Sequence, residues 1–174
     1  TSFTSSISGS IQNQGLIRGG NTGIYIQNGS LGALRNFAGT ITGSLANSTA
    51  VWIANGRIRE GISNSGTIGG TASGSTAIKI GDGGDIGTVS GAYYIPGITN
   101  SGTIGLGNIA IEIGNGSQLT HGLVNSGTIT GDTTALRILG TLSNNSGSGY
   151  AIDNSGTISG LGNAAIQIGS GTVS

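Results

Sequence analysis

Few residues of this chain are able to carry acid, base, nucleophilic or metal chemistry, and their spacing limits what they can do. The one histidine, His121, stands just before Leu123, with Asp132 downstream and serines throughout. A Ser/His/Asp relay needs three side chains within hydrogen-bond reach. In so serine-rich a chain a partner serine is always at hand, so the set has no specificity. No Gly-x-Ser-x-Gly elbow holds a serine on a strained turn. His121 therefore reads as a solvated turn residue.

Asp82 and Asp85, in Gly-Asp-Gly-Gly-Asp, form a close acidic pair able to contribute to a calcium site with backbone carbonyls. The segment occurs once and departs from the repeated nonapeptide of calcium-binding β-rolls, so both read as turn residues. Glycoside cleavage needs paired carboxylates across a groove, and the six acids are scattered among different turns. With no cysteine, disulfides and thiolate metal sites are excluded. No catalytic set, metal or cofactor is expected.

Six basic and six acidic residues cancel, and no basic stretch is interleaved with aromatics or followed by a phosphate-cradling loop. Nucleic acid is not an expected partner. No run of about 18 apolar residues is present to span a bilayer, so no membrane insertion by this segment is expected. The chain also opens without a signal-peptide pattern and reads as a mature or excised segment of a longer protein, a single domain over 1–174.

What positions these residues is a repeat. Gly61 to Ile68, Gly-Ile-Ser-Asn-Ser-Gly-Thr-Ile, is followed by Ala77-Ile78-Lys79-Ile80. Both phrases return at 98–113, 123–138 and 152–168, and in looser form at 11–26 and 34–53. Self-similarity at this period determines architecture before any other signal. Each copy holds three short apolar segments of alternating period, separated by Gly, Asn and Ser, which is a strand pattern. A further apolar residue follows at Leu31, Ile58, Ile86, Leu119, Leu142 and Val173. Nothing supplies a returning hairpin partner, so strands pair between successive turns. The expected fold is all-β, a parallel β-helix of about six coils with three short strands each. The 37 glycines read as turn residues of that packed fold.

In stacked coils, residues sharing a place in the phrase form columns. The Asn of each Asn-Ser-Gly turn is suited to left-handed backbone and to local bonding. Stacking predicts an Asn ladder through Asn13, Asn36, Asn64, Asn100, Asn125 and Asn154, bonded along the axis as amide stacks are. The outward column Tyr25, Trp52, Lys79, Glu112, Arg137 and Gln167 pairs two aromatics and alternates charges, keeping register and solubility. Tyr25 and Trp52 are also a candidate platform for a sugar ring. The Thr column at 40, 67, 103, 128 and 157 suggests ice binding, but only Thr40-Ile41-Thr42 and Thr128-Ile129-Thr130 supply the Thr-x-Thr that every coil of an ice face needs.

The longest interval between aligned Asn residues contains an insertion, 87–97, with Tyr93, Tyr94 and Pro96. Insertions in solenoids map to loops. This one is expected to protrude or fold back over a coil, as a contact site or a cover.

The phrase Ile-x-Asn-Ser-Gly-Thr-Ile followed by Ala-Ile-x-Ile, at 62–80, 98–113 and 152–168, resembles the passenger region of Gram-negative autotransporters, the type V secretion proteins. The resemblance covers essentially the whole chain and is tight from Gly61 onward. It implies a right-handed β-helix at the cell surface or secreted, acting as a non-catalytic spine for adhesion, autoaggregation or biofilm formation. The alternative it leaves open is the stalk of an enzyme passenger, an esterase or protease, with its catalytic domain elsewhere. Expected partners are a second rod, surface glycans or a host or neighbouring-cell surface, and exposed strand edges at the terminal coils invite edge-to-edge contacts.

Overall fold

The computed structural model describes residues 5–70, 72–87, 97–144 and 150–174. Short β-branched runs broken by Gly and Asn cannot sustain helices, and all the described regular structure is strand. Every strand pair is parallel and joins one turn to the next, so the chain is a β-solenoid. The third turn shows the unit: Ile62–Asn64, Thr67–Gly69, Thr76–Gly81 and Asp85–Ile86. Three of these are the expected strands. The fourth forms at the additional apolar point, where Ile86 pairs with Ile58 on one side and Leu119 on the other. First and fourth strands belong to one 11-stranded sheet, second and third to a 10-stranded sheet.

Alternation sends one side chain in and the next out. Ile62, Ile68, Ile78, Ile80 and Ile86 of the third turn are all at most 1% exposed. In the last turn, Ile166 and Ile168, equivalent in place to Ile78 and Ile80, are 41% and 56% exposed. Burial of a coil's interior is thus supplied by the neighbouring coils rather than by the coil itself.

The aligned Asn residues lie in register through six turns. Each Nδ2 donates to the Oδ1 of the next, at 2.8, 2.7, 2.8, 2.8 and 2.7 Å from Asn13 to Asn154. Asn100 Nδ2 also donates to the Gly102 and Thr128 carbonyls, so its other N–H closes the turn and ties it to the next coil. The direction of donation is the same at every step, which makes the ladder polar along the axis.

Two expectations about the turn are corrected here. None of the ladder Asn residues has left-handed backbone. The non-glycine residues that do are Asn28, Asn47, Asn55, Asp82, Leu106 and His121, at other corners. The glycine of Asn-Ser-Gly is not conformational either: Gly66, Gly102, Gly127 and Gly156 all lack positive φ. A Cβ on any of them would lie 2.2 Å from the carbonyl oxygen of the corresponding glycine one coil earlier. Glycine is needed because successive turns approach closely there.

Only the two ends of the 87–97 insertion are described; Tyr93, Tyr94 and Pro96 lie outside the described residues. Gly87 N donates to the Ile58 carbonyl and Gly97 N to that of His121. A Cβ on Gly87 would lie 3.2 Å from Gly97 Cα. The coil closes at the base of the insertion. Without residues 88–96 the 36-residue interval from Asn64 to Asn100 becomes 27, inside the 23 to 29 of the other intervals.

Candidate functional site

Two outward features gather the side chains capable of recognition. The first is the column on the third strands. In-register pairing places Tyr25 beside Trp52, Trp52 beside Lys79, Lys79 beside Glu112, Glu112 beside Arg137, and Arg137 beside Gln167. Tyr25 and Trp52 have ring centroids 4.9 Å apart with a 43° tilt. Lys79 Nζ lies over the Trp52 ring, 5.5 Å from its centroid, a cation–π geometry. Glu112 then forms an ion pair with Lys79 Nζ at 3.6 Å and accepts from Arg137 Nη1 at 3.5 Å.

Each inner member of the column, from Trp52 to Arg137, thus has neighbours on the coils to either side. Trp52 is flanked by Tyr25 and Lys79, while Tyr25, at the start of the column, is 47% exposed. What the arrangement does is offset part of the column's positive charge and fix the register of neighbouring strands, each pair contributing up to about 1 kcal/mol.

The second feature lies at the corner between third and fourth strands, next to the base of the insertion. Arg57 Nε is 3.4 Å from Asp85 Oδ2, and Thr120 Oγ1 donates to Asp85 Oδ1 at 3.5 Å. Burial raises the Asp85 pKa above its ordinary 3.8, while the Arg57 guanidinium, the Thr120 hydroxyl and the His121 charge pull it back down. His121 is half-buried with φ 67° and acts on Asp85. Asp132 is exposed on the strand Thr128–Ile138. Asp82 is exposed at a left-handed corner. Among the described residues no three His, Cys, Asp or Glu side chains gather to hold a metal ion.

The Arg57–Asp85 pair and the Arg35–Glu60 pair at 3.6 Å were missed in sequence. A signal for the first existed. Arg57 and Asp85 each precede the additional apolar point, Ile58 or Ile86, by one residue, so treating that point as a strand places them in one column.

The fold defines the chain as a β-solenoid. No protein-family model matches it, and neither a curated protein nor a solved structure does. No helix among the described residues is long and apolar enough to cross a membrane.

Proposed function

We propose that this solenoid is part of a non-catalytic extracellular spine of the autotransporter passenger kind, at the surface of a Gram-negative cell or released from it. Its work is adhesion, autoaggregation or biofilm formation. The observation that carries this reading is the pairing of charges within the outward columns. Glu112 is shared by Lys79 and Arg137, Arg35 pairs with Glu60, and Arg57 pairs with Asp85.

Beside these pairs run columns of hydroxyl side chains. Ser63 and Thr99 adjoin on the first strands, and Thr40, Thr67, Thr103 and Thr128 adjoin on the second. Such faces hydrogen-bond to a like rod or to glycans without long-range repulsion. Cells displaying the parent protein with and without this 174-residue segment provide the test. The segment is expected to speed settling of the culture and raise attachment, and equal settling and attachment would overturn the reading.

A further inference from the structure

We propose that the corner groove over the first three turns binds an acidic glycan, specifically a uronate-bearing oligosaccharide. The proposal rests on the reading of the rod as a surface spine and names a ligand class for one of its faces. The groove has a volume of about 400 Å³ and is lined by Asn28, Ser30, Asn55, Arg57, Arg59 and Asp85 with corner glycines. Room of that size accepts a sugar ring and its neighbours.

Its donors are held in place by neighbours that use only part of their capacity. Asp85 Oδ2 lies 3.4 Å from Arg57 Nε, and the Arg57 side chain remains about half exposed toward the groove. Arg59 has no carboxylate partner among the described residues; its Nη2 donates to Ser30 Oγ at 3.3 Å. Two guanidinium groups, two residues apart at the same strand exit, line the groove, and the planar donor fork of a guanidinium matches a carboxylate.

Along the axis, Asn55 Nδ2 donates to Asn28 Oδ1 at 2.6 Å. This fixes a pair of amides with donor and acceptor capacity left for sugar hydroxyls. The corner residues Asn28, Asn55 and Asp82 share left-handed backbone, with φ of 53°, 49° and 54°, so the backbone path of the corner recurs over these three turns, while the arginines stand on the second turn alone. The rise of about 4.8 Å per turn is close to the advance of an extended pyranose chain. A compact anion would use the arginines alone, whereas a uronate chain uses the arginines for its carboxylate and the Asn28–Asn55 amides for the hydroxyls of a neighbouring ring.

The test is an amide NMR titration of the 174-residue chain with tetragalacturonate, with its carboxyl-methyl ester, and with sodium sulfate. Tetragalacturonate is expected to shift the signals of Asn28, Asn55 and Arg59, and the methyl ester to leave them in place. Arg57→Gln and Arg59→Gln are each expected to weaken binding at least about tenfold with unchanged circular dichroism, since both side chains are on the surface. No shift with the uronate, equal shifts with the ester, or sulfate binding as tightly at the same residues would overturn the proposal. Rod-dependent settling of cells without uronate binding would overturn this site and leave the spine reading standing. Uronate binding without rod-dependent settling would do the reverse.

Discussion

Asn64 Nδ2 lies 2.8 Å from Asn100 Oδ1, although 36 residues of chain separate them. The contact joins two coils through the interior-facing end of the first strand, where both residues are at most 1% exposed. Water cannot replace the bond, so the ladder stabilises only while each neighbour supplies its partner.

Asn100→Ala removes a donor to Asn125, an acceptor for Asn64 and the bonds to two carbonyls. It is expected to lower stability by about 2–4 kcal/mol in urea unfolding. Asn154→Ala, at an exposed ladder position, is expected to cost less than about 1 kcal/mol. Equal losses at the two sites would mean that Asn acts only within its own turn.

Gly102 and Gly15 occupy the same place in the phrase but meet different surroundings. A Cβ at Gly102 would lie 2.2 Å from Gly66 O, whereas at Gly15 it meets nothing within 4 Å. Gly102→Ala is expected to cost about 3 kcal/mol or more, and Gly15→Ala to stay within about 0.5 kcal/mol. Thermal melts of the two variants check this.

Asp85 gives the molecule a pH dependence of definite sign. Because its folded-state pKa is raised above 3.8, the folded chain holds that proton more tightly than the unfolded chain does. The contribution to stability is full below the ordinary value and is lost as pH rises through the folded one. In urea melts from about pH 3.8 upward, wild type is therefore expected to lose stability relative to Asp85→Asn, and a relative gain would contradict the sign.

Since Gly87 and Gly97 approach closely, replacing residues 88–96 by two glycines should leave the coils in place. The expected change in unfolding free energy is within about 1 kcal/mol. Loss of the cooperative transition would show that the insertion is part of the core.

The vertical order of this molecule is legible in sequence because a solenoid converts a repeated phrase directly into stacked neighbours. Asn64 and Asn100, or Lys79 and Glu112, share a place in the phrase, so they share a column. Less legible is what depends on the path within one turn. The strand Asp85–Ile86 spans two residues, too short for alternation to show, so its ion pair with Arg57 stayed hidden. The glycine at 102 looks like any turn glycine until the coil beneath is placed. The aromatic pair was visible as a pair, but whether its faces are open depends on Lys79 lying across Trp52.

Same-phrase residues of successive turns lie side by side in parallel strands. Ser63 pairs with Thr99, and Thr99 with Val124 one turn further on. The chain has no cysteine of its own, so oxidation of introduced pairs is unambiguous. Neighbouring strands about 4.8 Å apart bring two cysteines within bonding range, and a two-coil separation does not. Ser63→Cys with Thr99→Cys is predicted to form an intramolecular disulfide, while Ser63→Cys with Val124→Cys forms none. A disulfide in the second pair and not the first would contradict the stacking of the coils.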